Sequence, residues 1–295
     1  MELLLTGATG YLGGVVARRL AEAGHALTAV VREPSRATGL PAGTRLVQGA
    51  VESPEVLADA ASRVDGVVHL APSGGLATDL AAARAFTDAL AGRGGVLVWT
   101  TGVWVLGPTD GGAAAEDSPT APIALVHDRV AAERAVLSAA DVVRAVVLRP
   151  GIVHGHGGGI PALLVEQARR AGTGVVTGAA DVRWPMVHVD DLADLYVAAV
   201  ERAASGSVLH GVAEEGVPVT DLATAAAHAA GAGPGWTVRS TAETATEVGA
   251  AFADALATSQ VVSATRTRFA LGWHPRRVGA VTDVAAGSYA RPSAA

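Results

Sequence analysis

The 295 residues are half hydrophobic, 17% charged and 4% aromatic, with a net charge of −6, enough for one large domain or two small ones with a core of Ala, Val and Leu. An acidic chain without a basic run excludes nucleic acid as an expected partner, and no apolar stretch nears the roughly 20 residues that span a bilayer. The absence of cysteine excludes disulfides, thiolate nucleophiles and cysteine-ligated metals; together with a start, Met1 to Thr6, that lacks a basic segment, it predicts a cytoplasmic protein.

The first element is a short buried strand, Leu3 to Leu5, which stops at Thr6 and Gly7. Glycines follow at three-residue spacing (Gly7, Gly10, Gly13), and from Tyr11 onward Leu12, Val15, Val16 and Leu20 recur with helical period. A strand, a glycine turn and a helix start, in that order, make a pyrophosphate site. The first helical N–H groups have no partner within the helix, the helix dipole favours negative charge, and glycines admit the phosphates without Cβ clashes. The expected contacts are Gly7, Thr9, Gly10, Tyr11, Leu12 and Gly13.

The spacing is T-G-x-x-G-x-x-G, and TGATGYLG resembles the start of the extended short-chain dehydrogenase/reductases, also called NAD-dependent epimerase/dehydratases. The resemblance implies an α/β fold: a Rossmann doubly wound parallel sheet with a smaller C-terminal substrate-binding cap. The nucleotide domain is expected over residues 1–150 plus about 191–203, and the cap over 151–190 and 204–295.

The second strand, Ala26 to Val31, ends at Arg32, with Arg36 four residues on. In such folds an acidic residue at this tip binds the ribose 2′-hydroxyl, and an arginine accommodates a 2′-phosphate. Arg32 and Arg36 therefore predict NADP(H) over NAD(H). Strands at Leu46–Val47 and Val67–Leu70 flank a helix opened by Ser53-Pro54. The family's Asp near Gly49 is Ala50 here, so adenine would lean on the backbone at Ala50 and Val51. Leu70, Ala71 and Pro72 resemble the segment lining the cofactor's riboses.

A helix (Asp79 to Ala91) and a strand (Gly95 to Thr101) lead into a long glycine- and proline-rich loop, whose length signals function or mobility. A helix over Leu125 to Ala139 and a strand at Ala145 to Leu148 follow. The family carries a Ser/Thr after the fifth strand and Y-x-x-x-K on the next helix, with Tyr as general acid/base and Lys on the nicotinamide ribose. Aligned on Ala131 to Leu137, the Tyr position is Leu125 and the Lys position Arg129; the Ser/Thr position is Gly102, with Thr101 and Thr100, the latter expected at the cofactor, beside it. The chain's three tyrosines (11, 196 and 289) all lie far from this segment in sequence. Arg129 shares a helix face with Leu125 and can reach the ribose as a permanent cation, but it cannot titrate. His127 projects to the opposite side of that helix. Thr101 and Trp104 stand where the family places substrate-contacting groups.

Arg149-Pro150 followed by Val153-His154-Gly155 resembles R-P-x-x-x-Y-G, with His154 in the Tyr position at the carboxyl end of a strand. Pro150 and Val153 are expected at the cofactor, and His154 is the candidate proton donor, since imidazole titrates near neutrality. His154 and His156 lack a third ligand at a recognisable spacing, so no metal is expected. Val187 to Asp191 resembles the strand that returns to the cofactor domain. Arg183 and Trp184, just upstream, are expected on the substrate.

The catalytic set expected is His154, Thr101 and Arg129; the substrate set is Trp104, Leu125, His154, Arg183 and Trp184. The reading is an atypical NADP(H)-dependent oxidoreductase acting on a small metabolite. Its alternatives are a non-redox isomerase, lyase or cyclase and a non-catalytic nucleotide sensor. The expected partners are a small-molecule substrate and a second copy of the chain.

Overall fold

The structure, a computed structural model, describes residues 1–109 and 112–290. Its first half alternates strand and helix: β1 (Glu2–Thr6), α1 (Tyr11–Glu22), β2 (Ala26–Val31), β3 (Arg45–Gln48), α2 (Pro54–Ala61), β4 (Gly66–His69), α3 (Leu76–Leu90), β5 (Val96–Thr100), α4 (Arg129–Ser138) and β6 (Arg144–Pro150). The second half holds β7 (Ile152–His154), α5 (Gly159–Ala171), β8 (Gly174–Thr177), β9 (Arg183–His188), α6 (Val189–Arg202), β10 (Ser207–Gly211), β11 (Glu214–Pro218), α7 (Val219–Ala230) and β12 (Trp236–Arg239). The helices α8 (Thr241–Val248), α9 (Ala250–Leu256), α10 (Thr265–Leu271) and α11 (Ala280–Ala286) close the chain.

Seven strands form one parallel sheet in the order β10-β6-β5-β4-β1-β2-β3. Strand alternation sends Leu3 and Leu5 to one face and Leu4 to the other, and both faces are covered. Leu3 and Leu5 join Val16 and Leu20 of α1 and Leu192 and Leu195 of α6, whereas Leu4 joins Leu57 of α2, Phe86 of α3 and Val136 of α4. This is the Rossmann sheet the sequence led us to expect. The strand order reverses between β1 and β4, which opens a crevice at the carboxyl ends of these strands.

The remaining strands form a three-stranded sheet (β11-β9-β7) and a parallel pair (β12-β8). They surround a second core that includes Trp184, Met186, Leu222 and Leu256. One boundary needs correction. Residues 207–211, expected in the cap, are the edge strand of the main sheet, paired with β6 from Ser207↔Val146 to Gly211↔Pro150. Trp273 also belongs to the main core and donates its indole N–H to the Asp191 carbonyl at 2.9 Å.

Local signals fared unevenly. Ser53 does precede α2 with Pro54 at its first turn, yet its side chain makes no capping bond. The segment 125–139 is not one helix: a 3₁₀ turn covers Ala124–Val126, and α4 begins only at Arg129. The long loop after β5 is tied down by distant residues rather than by its own periodicity. Buried Gln260 donates to the carbonyls of Val103 and Gly107, Ala114 N–H bonds Val261, and the Glu116 carboxylate accepts from the amide and hydroxyl of Thr267. Asp110 and Gly111 of this loop lie outside the described residues.

At the tip of β4, buried His69 stacks on Trp99, with ring centroids 4.1 Å apart, and its Nδ1 lies 2.8 Å from the Thr6 hydroxyl. Burial, then the neighbouring Arg129, pushes its pKa down to about 3. The unfolded chain takes a proton on this histidine near pH 6.5, while the native state refuses it until about pH 3. Stability from His69 is therefore fully present above pH 6.5 and drains as pH falls toward 3, by at most roughly 1.4 kcal/mol per pH unit. His188 and His210 are also held low, chiefly by burial, and act in the same direction. Denaturant titrations of parent and His69→Asn across pH 3–7 should show a shallower acid decline in the variant; parallel curves would remove His69 as a source.

Candidate active site

The crevice has two connected parts. The first, about 560 Å³, is built on the turn between β1 and α1. Gly7 has φ +72°, and a Cβ there would lie 2.7 Å from the backbone of Leu70 and Ala71. A Cβ on Gly13 would lie 2.0 Å from the Gly7 carbonyl oxygen. Glycine at these positions is what lets α1 begin directly over the strand tip. Its first turn carries no acidic residue, and its N-cap Gly10 supplies no side-chain capping bond. The cradle thus fits the pyrophosphate of a dinucleotide: close backbone, open N–H groups and no carboxylate in the first turn of α1, although Glu33 and Glu52 also line the cavity.

Gly7, Thr9, Gly10, Tyr11, Leu12 and Gly13 all line this part. Arg32, Arg36, Ala50 and Val51 stand at one end, and Leu70, Ala71 and Pro72 at the other. Arg36 is engaged with Glu33 at 3.3 Å, whereas Arg32 has no ion-pair partner among the described residues.

The second part, about 490 Å³, lies between the sheet and the cap. It gathers Thr101, Trp104, Leu125, Arg129, Pro150 and Val153. The Thr101 hydroxyl donates to Glu133 at 3.1 Å, and Arg129 Nη1 donates to the Thr101 carbonyl at 2.8 Å. Burial lowers the Arg129 pKa, and nearby Asp79 partly offsets this; a guanidinium remains charged regardless. Leu125 reaches the crevice from the 3₁₀ turn, not from a helix face shared with Arg129, because that turn winds more tightly and precedes α4. Trp104 is held by an edge contact with Phe252 of α9, centroids 6.1 Å apart.

Four expected residues do not line either part; strand alternation explains His154 and Thr100, and the place of β9 in the cap explains Arg183 and Trp184. Val153 faces the crevice, so its neighbour His154 points away and is buried, its Nδ1 2.9 Å from the Asp283 carboxylate. It cannot present a proton to a ligand beside Thr101. Thr101 faces the crevice, so Thr100 turns to the Tyr196 hydroxyl at 2.8 Å, away from the crevice. Trp184 is 1% exposed in the cap core and donates to the Leu256 carbonyl. Arg183 is an exposed residue whose Nε donates to the Gly216 carbonyl at 2.9 Å. His127 is largely exposed beside Asp128.

Tyr11, expected at the cradle, lines the inner part as well. Its hydroxyl donates to the Gly155 carbonyl at 2.7 Å, and its ring is packed so closely by the loop that a Cβ on Gly158 would lie 2.4 Å from it. Burial first, then Tyr289, raises its pKa well above that of a free phenol, so it positions rather than titrates. Glu133, which the Thr101 hydroxyl meets, carried no signal except its place on the helix after Arg129.

His154, His188 and Asp283 bring three metal-capable side chains within 4.8 Å of one another. Two of their nitrogens are already engaged: His154 Nδ1 with Asp283, and His188 Nδ1 with the Asp190 amide, which it caps at 3.2 Å. The His154–Asp283 bond joins β7 to α11, and the His188 ring packs edge-on against His154, centroids 5.0 Å apart.

A family model described as the NAD dependent epimerase/dehydratase family matches residues 3–210. An uncharacterized protein of Schizosaccharomyces pombe is 32% identical over 98% of this chain and 100% of its own. An epimerase family protein of Homo sapiens is 31% identical over 72% of this chain and 75% of its own. Among solved structures, UDP-glucose 4-epimerase of Thermotoga maritima with UDP-glucose superposes with a TM-score of 0.79 at 19% identity, covering 98% of this chain and 97% of that one. The dTDP-glucose 4,6-dehydratase DesIV of Streptomyces venezuelae, with NAD and TYD bound, gives 0.80 at 16% identity, covering 98% and 96%.

Proposed function

The chain belongs to the NAD-dependent epimerase/dehydratase family, and from that premise we propose that it is an NADP(H)-dependent oxidoreductase that acts on a small molecule without a tyrosine acid. The observation that carries this reading is the continuity of the crevice. The glycine cradle runs from Arg32 at one end to Pro72 and Ser73, which also border the pocket of Thr101 and Arg129. When bound, the dinucleotide would supply or accept hydride.

The chain's own groups do the rest. Gly7, Gly10 and Gly13 would admit the pyrophosphate, and Arg32, which lines the same cavity, would hold the adenosine end. Arg129, held by the Thr101 carbonyl, offers its remaining N–H groups to oxygens in the crevice. With Leu125 in the family's tyrosine position, any proton taken up comes from solvent or from the substrate itself.

Cofactor choice is the test. Calorimetric titration should show NADPH binding more tightly than NADH, because a guanidinium pairs bidentately with a 2′-phosphate. Arg32→Ala should remove most of that preference, on the order of 1.5–3 kcal/mol for a charge-assisted bond. Equal affinities in the parent would sink the NADP(H) assignment.

A further inference from the structure

The inner crevice has apolar walls but few donors. Val103, Trp104, Leu125, Val126, Val153 and Ile160 give it an apolar surface. The polar side chains among its lining residues are already spending their protons. The Tyr11 hydroxyl donates to the Gly155 carbonyl, Ser73 to Asp79, and Thr101 to Glu133. Arg129 is the single charged side chain among the lining residues, and only one of its N–H groups has an acceptor among the described residues.

Resting on the reading of the crevice as a substrate site beside the dinucleotide, we infer that its substrate is a compact, mostly hydrocarbon carbonyl compound, not a nucleoside diphosphate sugar. A hexose buried here would leave several hydroxyls without partners, each costing about 1–3 kcal/mol. A diphosphate would bring two negative charges to one guanidinium. A ketone or aldehyde, by contrast, needs one donor for its oxygen, which Arg129 can give, and apolar surface for its body. Leu125 contributes directly: where the family places a phenol, it extends the apolar wall to the mouth, 41% exposed.

The test is calorimetry or saturation-transfer NMR on the intact protein, with NADPH titrated first and two probes added afterwards: 4-phenyl-2-butanone and UDP-glucose. The ketone should bind and UDP-glucose should not at the same concentration. Trp104→Ala should weaken the ketone about tenfold through lost apolar contact and leave NADPH affinity unchanged. Arg129→Leu should weaken the ketone while sparing butylbenzene, which lacks the oxygen. Binding of UDP-glucose in preference to the ketone would overturn the inference, as would ketone binding indifferent to both substitutions. If NADPH fails to bind but the ketone behaves as expected, the dinucleotide reading falls and the substrate class stands; NADPH binding with no ketone binding has the opposite meaning.

Discussion

Replacing Gly13 with alanine is expected to abolish dinucleotide binding and to lower stability by about 3 kcal/mol or more, in the range reserved for severe backbone conflict. The new Cβ would lie 2.0 Å from the Gly7 oxygen, 2.8 Å from the Gly7 carbon and 2.9 Å from Ala8 Cα. All three are main-chain atoms, so no rotamer change relieves the overlap. Relief requires α1 to lift from the tip of β1, and α1 is packed through Val16 and Leu20 into the main core. The adjacent Gly14 supplies the control. Its Cβ would meet nothing nearer than the Ala8 oxygen at 3.7 Å, an ordinary contact, and it lies within the helix. Gly14→Ala should therefore leave stability unchanged or raise it by up to roughly 1 kcal/mol. Thermal unfolding and NADPH titration of both variants settle the matter; a Gly13→Ala protein that binds like the parent would show that the turn is not the pyrophosphate cradle.

The contrast between these two glycines marks what could be read in advance. The cradle was legible because strand, turn and helix start are consecutive, and every contact that makes it tight lies within about ten residues or at the tip of β4. Arg32 was legible for the same reason, as the first residue past β2. The crevice was not. Whether His154 or Val153 faces the ligand depends on the phase of a three-residue strand, and a shift of one residue exchanges the two sides. The motif alignment gave the place of His154 in the chain, but not the direction of its side chain. The loop that carries Trp104 looked structureless because its partners, Gln260, Val261 and Thr267, come some 150 residues later. Tyr11 was expected at the cradle, but its place in the inner wall was not legible, because the loop that packs on its ring, around Gly158, is equally remote.

Beneath the crevice, Glu133 and Arg149 should prove the costliest ion pair to break. Both are almost fully buried, at 3% and 4% exposure. The carboxylate accepts from Arg149 through Nε at 3.2 Å and through Nη2, and from the Thr101 hydroxyl at 3.1 Å. Glu133→Ala leaves a guanidinium in the core without its counter-charge, a loss of about 3–5 kcal/mol. Replacing both partners by apolar groups of similar volume, Glu133→Leu with Arg149→Met, removes the stranded charge and should recover much of the loss. Recovery is favoured here because Arg149 Nη1 has no partner among the described residues, so the native pair is itself incompletely satisfied. Urea denaturation of the parent, Glu133→Leu, Arg149→Met and the double variant gives the coupling energy directly. The same double variant separates structure from function, since the Thr101 hydroxyl loses its acceptor while the strand that carries it stays packed. Near-parental stability with weakened ketone binding would assign Glu133 to positioning Thr101. A Glu133→Ala protein that loses less than about 1 kcal/mol would mean that water reaches the pair, and that the floor of the crevice is wetter than its burial implies.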